Sequence, residues 1–347
     1  MNKVIYSLKT VYRDQDRKSI PRIIWEAIHC IFLEWDMPYY YFIALLYKKG
    51  APDYRNFIGH RKNFGIQRNY LRAAGPNFDL FDKTRFGKIL SEHNIPSARV
   101  LAHNTGHEII RNGSSGLVAN PTELALQMWL LLAETRSQSI FVKPIEGEEG
   151  VNSFRFDEPE ITAENCVDLF RLMETVSFIF QETIKQHPTL NSIYPYSINS
   201  LRVHSFFDKE KNDYEIVSVM MRIGRKGAVV DNCGVGGLYI AVDLENWTLG
   251  KFAQTYLSRG GYRFTAHPDT GHVFAGTKLP FRDETFALVK AAAPLFSSEF
   301  IGWDVALTES GPVILEGNEN PHLGMAQWGV GGFKNHPRYK EIFKNYI

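Results

Sequence analysis

Ile301-Gly-Trp-Asp304-Val-Ala-Leu-Thr-Glu-Ser-Gly311-Pro-Val-Ile-Leu-Glu316-Gly-Asn318-Glu-Asn-Pro321 reads as two β-strands folded about a tight turn at Glu309-Ser310-Gly311. A turn centred on Ser310 pairs Val305 with Leu315 and Leu307 with Val313 on one apolar face, and sets Asp304 opposite Glu316. Two carboxylates directly opposed across a ladder repel, and Asn318 follows on the same face two residues on. A cation between them relieves the repulsion. Two carboxylates and an amide are hard oxygen donors, the set that magnesium takes. The plainer reading is a solvent-facing strand pair with scattered acids. Ala306 and Ile314, which this register puts on the same face, suggest a partly enclosed cleft instead; on these residues alone both readings stand.

Working back along the chain, Ser139-Ile-Phe-Val-Lys143-Pro144 is a short apolar strand that ends in a lysine, followed by Ile145-Glu-Gly147-Glu-Glu-Gly150. A lysine ending a buried strand is costly unless an anion meets its ammonium, and a glycine-containing loop can offer N–H groups to phosphate oxygens. A lysine snorkelling from a strand edge into a hairpin turn explains the same residues, so Lys143 gains weight only from its neighbours in the pattern. Those neighbours are Asp82-Lys83 at the head of a helix that ends Asn94-Ile-Pro96, then Gln181-Glu182-Thr-Ile184, then Asp304 with Glu316-x-Asn318, in that order.

The combination resembles the ATP-grasp superfamily over roughly 80–325. Leu201-Arg202-Val203, Arg222 and Asp231-Asn232-Cys-Gly-Val-Gly236-Gly237 are similar to ligases that add glutamate to proteins or cofactors, and the closing Glu-x-Asn-x-Asn-Pro resembles the sugar-transfer-associated ATP-grasp family. The resemblance implies an α+β fold in which two lobes clamp ATP behind a helical N-terminal region. It divides the chain into 1–75, a pre-grasp segment and small lobe over 76–181, and a large lobe over 182–347. In it Lys83 and Lys143 would hold the α- and β-phosphates under a lid, Gly147–Gly150. Gln181, Glu182 and Ile184 would form the adenine hinge, and Asp304, Glu316 and Asn318 would hold two magnesium ions. Arg202 and Arg222 would steady the transferring phosphoryl group, and Asn232 would shape the substrate side. The implied activity is carboxylate–amine ligation through an acyl phosphate, with small-molecule carboxylate and amine substrates, one of them sugar-linked. A phosphotransferase acting on a hydroxyl, or a degenerate nucleotide-binding or scaffold protein, are the rivals.

The chain departs from that pattern in three places. Glu146, Glu148 and Glu149 stand in the phosphate loop where Ser or Gly is usual, Ser200 precedes Leu-Arg where the glutamate-ligase pattern has an acid, and Gly302 stands where the D-alanine ligase pattern has an arginine. The ribose contact and the oxyanion donor are therefore unassigned, with Arg222 or Arg225 available as the donor, and His322 reads either as a substrate-site base or, more simply, as a structural histidine.

With 347 residues, 44% of them hydrophobic and 22% charged, the chain is long enough for about two domains and is not of disordered composition. Cys30, Cys166 and Cys233 are scattered without a CxxC, which indicates neither a disulfide framework nor a zinc site and suits a cytoplasmic protein. Residues 1–72 carry 13 Lys/Arg against 6 Asp/Glu, while the remainder carries 26 against 32. Such a basic front end suits either a solvated helical face or peripheral contact with anionic lipid; a nucleic-acid partner is not expected. The apolar run Met37–Tyr47 is about half the length of a bilayer-spanning helix, and no signal peptide is read at the N-terminus. Helices are expected over 20–35, 38–49 and within 52–75, with a boundary at Gly75-Pro76. Oligomeric state is left open.

Overall fold

The computed structural model describes residues 9–74, 78–135, 138–146, 152–319, 321 and 323–343. Two sheets, every strand pair antiparallel, hold the chain from Val100 to Asn318. The first has six strands in the order β3-β2-β1-β6-β4-β5: β1 Val100–Thr105, β2 Glu108–Arg111, β3 Ser114–Leu117, β4 Ser139–Pro144, β5 Phe154–Asp157 and β6 Phe178–Glu182. Asn112 and Gly113, at φ 49° and 80°, make the two-residue turn into β3, whose left-handed backbone suits Asn-Gly. The helices Pro121–Ala133 and Val167–Met173 cover this sheet, burying Leu124, Met128 and Leu169 with Ile140, Val142, Phe178 and Phe180.

The second sheet has seven strands in the order β11-β10-β9-β8-β7-β12-β13: β7 Leu201–Asp208, β8 Asp213–Ile223, β9 Leu238–Ala241, β10 Ala253–Gln254, β11 Arg263–Phe264, β12 Phe300–Thr308 and β13 Gly311–Asn318. Its core gathers Leu201, Val203, Trp303, Val305 and Leu307 with Leu288, Val289 and Ala292 of the helix Arg282–Ala292. The helix Lys83–Glu92 lies on the β12–β13 end, where Phe86 stacks on Phe296 with ring centroids 5.3 Å apart. Gly317 allows that approach, since a Cβ there would come within 2.6 Å of Leu80 and 2.9 Å of Phe86.

Two short crossings tie the sheets together. Ala98 N donates to Ile314 O at 3.1 Å and Ile314 N to Pro96 O at 2.9 Å, while His187 N donates to Leu307 O at 2.8 Å just past β6. The cleft between the sheets is thus bordered by β13 and the ends of β4 and β6.

The register of the deciding hairpin differs from expectation in half its length. Gly302 faces Asn318, Trp303 faces Gly317 and Asp304 faces Glu316, as the turn arithmetic requires. Beyond Asp304 the pairing slips by one, so that Val305 meets Ile314 and Leu307 meets Pro312. The turn is two residues, Glu309-Ser310, closed by Gly311 at φ 127°, and Leu315 is the extra residue of a β-bulge. Ile314 consequently belongs to the buried core, while Val313 and Leu315 face the cleft. The bulge has a functional consequence. Carried straight through, a two-residue turn would set Leu315 opposite Asp304 and move Glu316 to the other face.

At the N-terminus the helices Ile20–Glu34 and His60–Ala74 form where expected, but the second helix covers only Tyr39–Ile43 instead of 38–49. Leu45 at φ 55° ends it, and Leu46 N reaches back to Tyr41 O at 2.9 Å. Leu46 and Tyr47 bury themselves in the turn that follows, beside Tyr41 of the helix. This block docks on the large sheet through Leu257 and Trp328, and Gln327 accepts from Ile58 N at 3.0 Å. The expected boundary Gly75-Pro76 lies outside the described residues.

Candidate functional site

A cavity of about 1630 Å³ fills the cleft between the sheets. Lys83, Lys143, Gln181, Glu182, Ile184, Arg202, Arg222, Asn232, Asp304, Glu316 and Asn318 all line it. Gly147 and Gly150, with Glu148, Glu149 and His322, lie outside the described residues; Glu146 is exposed.

The small-lobe side is basic. Asp82 caps the helix that Lys83 opens, accepting from Thr84 N at 2.8 Å and Arg85 N at 3.2 Å, and Lys83 Nζ donates to Ile145 O at 2.9 Å. The second lysine, Lys143, lies one residue before the end of β4, at the mouth of the same loop. Its burial pushes its ammonium below the usual lysine range, and Lys83 adds to that, while Glu316 and Asp304 pull the other way. An anion placed between the two lysines would relieve both burial and mutual repulsion. Gln181, buried in β6, donates to Ala98 O at 3.3 Å, and Glu182 N donates to Arg99 O at 3.0 Å, so this strand end is tied to the first crossing.

Across the cavity the bulged hairpin presents Asp304, Glu316 and Asn318. Asn318 lines the cleft, and its Nδ2 donates to Gly302 O at 3.2 Å, so its Oδ1 is the amide atom able to act as a metal ligand. Two carboxylates and that oxygen, on adjacent ladder positions, fit magnesium by donor chemistry. Among the described residues no group of three or more His, Cys, Asp or Glu gathers as a metal cluster; this set is two acids and an amide.

Asp304 is also the hub of a buried charge cluster. Arg202 Nε lies 2.5 Å from its Oδ1 and Arg222 Nη2 lies 2.8 Å from its Oδ2, with all three side chains at most 13% exposed. Burial alone would raise the Asp304 carboxyl, but the two guanidinium groups outweigh it and hold it below the ordinary range. Both arginines, expected to face a phosphoryl group, are here turned onto a carboxylate. Asn232 likewise uses its side-chain oxygen locally, accepting from Gly234 N at 2.6 Å, so its visible work is shaping the loop.

Asp231 and Ser200, to which the sequence assigns no role in the site, join the cluster. Ser200 N and Oγ donate to Asp231 Oδ2 at 2.8 and 2.5 Å, and Arg222 donates to Ser200 Oγ at 2.8 Å. A loop acid thus reaches the residue just before β7, where the sequence has serine. The signal was present as Val230-Asp231-Asn232, but only the fold brings it to β7. Gly302 has a steric reason: a Cβ there would meet Pro321 at 2.5 Å and Arg202 Cδ at 3.2 Å, so an arginine in its place would collide with the cluster.

A family described as sugar-transfer associated ATP-grasp matches residues 82–336. No curated protein matches the chain by sequence. Among solved structures the chain is similar to the ATP-grasp ligase PsnB complexed with minimal precursor, Mg and ADP, at 12% identity and TM-score 0.35, over 69% of this chain and 50% of that one. It is similar to D-cycloserine synthetase DcsG at 13% identity and TM-score 0.41, over 72% and 69%. It is similar to D-alanyl-alanine synthetase A from Vibrio cholerae at 13% identity and TM-score 0.39, over 75% and 61%. The chain spans half the length of the PsnB chain it matches.

Proposed function

This chain belongs to the sugar-transfer associated ATP-grasp family, and we propose that it is an ATP-dependent ligase joining a small-molecule carboxylate to an amine, with magnesium, in sugar-linked biosynthesis. The observation that carries the reading is one cavity with Lys83 and Lys143 on one wall and Asp304, Glu316 and Asn318 on the other. In this reading the lysines bind phosphate oxygens and the end of β6 with Ile184 frames the base. Asp304, Glu316 and Asn318 would hold two magnesium ions, whose contribution is to offset charge on the phosphates. Across the cleft, burial disfavours the Lys143 ammonium, and an approaching phosphate would favour it. Arg222, buried and already paired with Asp304, lies where a phosphoryl group held by that wall would be met by a guanidinium. The reaction balances as carboxylate plus amine plus ATP giving amide, ADP and phosphate. The substrate carboxylate takes the γ-phosphoryl group, and the amine then displaces phosphate from the acyl carbon. Water excluded from the cleft spares the acyl phosphate from hydrolysis.

The test is product analysis. Purified protein with ATP, magnesium and pooled carboxylates and amines, sugar-linked ones included, should release ADP and phosphate only when both substrates are present, with a new amide mass. A phosphorylated hydroxyl acceptor with no free phosphate would replace this reading with a phosphotransferase.

A further inference from the structure

The helix Ile20–Glu34 is turned inside out with respect to charge. It contains two acids, Glu26 and Glu34, and both are buried, at 1% and 3% exposure. Glu26 is met by Lys18 Nζ at 2.6 Å, Arg22 Nε at 2.8 Å and Tyr41 Oη at 2.6 Å. Glu34 accepts from Gly59 N at 3.0 Å and pairs with Lys62 and Lys334. The opposite face is apolar and exposed: Ile24, Trp25 at 61%, Ile28, Ile31, Phe32 at 67% and, one residue past the helix, Trp35 at 82%. At about 100° per residue these side chains with Pro21 span an arc of roughly 120°, centred opposite Ile23, Glu26, Cys30 and Glu34. Met37, Tyr39 and Ile43 extend the exposed apolar surface past the helix end.

Two things identify what this face meets. It is the outer side of a single helix, a convex surface with aromatic residues that suit the boundary between hydrocarbon and water. The charge of this N-terminal block is one-sided: over residues 9–66 the exposed charged residues are Lys9, Arg13, Arg22, Lys49, Arg55 and Arg61 against Asp53, which is paired with Arg55, while the half-exposed carboxylate of Asp16 is paired with Arg263. No helix among the described residues is long and apolar enough to cross a membrane. We propose that the helix Ile20–Glu34 lies flat on an anionic lipid bilayer, with Trp25, Ile28, Phe32 and Trp35 seated at the headgroup boundary and the surrounding lysines and arginines on the phosphates. Turning both acids inward removes the charges that such a surface would repel.

Flotation of the full chain with vesicles tests this. Phosphatidylcholine vesicles containing about 30% phosphatidylglycerol should carry the protein, pure phosphatidylcholine vesicles much less, and about 0.5 M salt should weaken the binding. Tryptophan emission should shift to the blue on binding. The double substitution Trp25→Ser/Phe32→Ser removes only exposed side chains; it should keep the circular dichroism and thermal midpoint of the parent while losing at least tenfold in partition. Ile28→Asp, made separately, should do the same. Failure of the wild type to float with anionic vesicles overturns the proposal. So does flotation that neither variant reduces, and so does a concentration-dependent dimer, without vesicle binding, that the substitutions dissolve, which would give the face to a second copy of the chain.

Discussion

Replacing Asp304 with asparagine keeps shape and volume but removes the negative charge between two guanidinium groups. Arg202 and Arg222 approach Asp304 at 2.5 and 2.8 Å in a cluster whose three side chains are 11%, 13% and 6% exposed. At an effective dielectric of about 20, each contact is worth on the order of 6 kcal/mol of gross attraction, most of it cancelled by the cost of desolvating three ions. Removing one partner leaves the desolvation uncompensated, which in buried pairs costs about 3–5 kcal/mol. Asp231 stays 3.7 Å from Arg222 and offsets part of this, so about 2–4 kcal/mol of lost stability is expected. Equilibrium urea unfolding would measure it. A companion variant, Arg222→Met in the Asp304→Asn background, should recover part of the loss because it removes one stranded cation, giving a coupling energy of about 1 kcal/mol or more. If Asp304→Asn unfolds within about 0.5 kcal/mol of the wild type, the arginines are satisfied without Asp304 and the hub is misread.

Three further outcomes follow from the same geometry. Glu316→Gln, at a position with no arginine partner among the described residues, should leave stability within about 0.5 kcal/mol of wild type and lower turnover at least a hundredfold; wild-type turnover would remove Glu316 from the chemistry. Gly302→Ala forces a Cβ to 2.5 Å from Pro321 and 3.2 Å from Arg202, so a loss of about 1–3 kcal/mol is expected in thermal or urea unfolding, and an unchanged midpoint would contradict the crowding. Because burial disfavours the Lys143 ammonium and a phosphate opposite it would favour the charged form, affinity measured by calorimetry should fall as pH rises toward the ordinary lysine value of about 10.4. The trend should flatten in Lys143→Met, and equal pH dependence in the two proteins would exclude Lys143 from the phosphate contact.

Much of the architecture was legible because strong local signals coincided with it. Apolar runs mark β4, β12 and β13, and the residues Asn120-Pro121-x-Glu123 carry their own helix start, with Asn120 accepting from Glu123 N at 3.0 Å. The strand β3, Ser114-Ser-Gly-Leu117, escaped because it has no apolar alternation; its entire burial pattern is exposed, and only the Asn112-Gly113 turn announces it. The pairing of Asp304 with Glu316 was readable from the turn, yet for an incomplete reason, since a bulge at Leu315 compensates a turn one residue tighter. A bulge has no residue signature of its own. The arginine contacts with Asp304 were likewise hidden: strand positions place Arg202 and Arg222 near the hairpin, but the choice between anion and carboxylate depends on side-chain geometry. The charge of the front end was visible in composition, whereas its exposed apolar helix face emerged only once Glu26 and Glu34 were seen to point inward.

Hydroxylamine trapping tests most directly whether this cavity activates a carboxylate as an acyl phosphate. Wild-type protein incubated with ATP, magnesium, hydroxylamine and a panel of carboxylates should form ADP together with one hydroxamate, and Glu316→Gln should form neither. ADP release without any hydroxamate, with the phosphoryl group recovered on a hydroxyl, would contradict the ligase account.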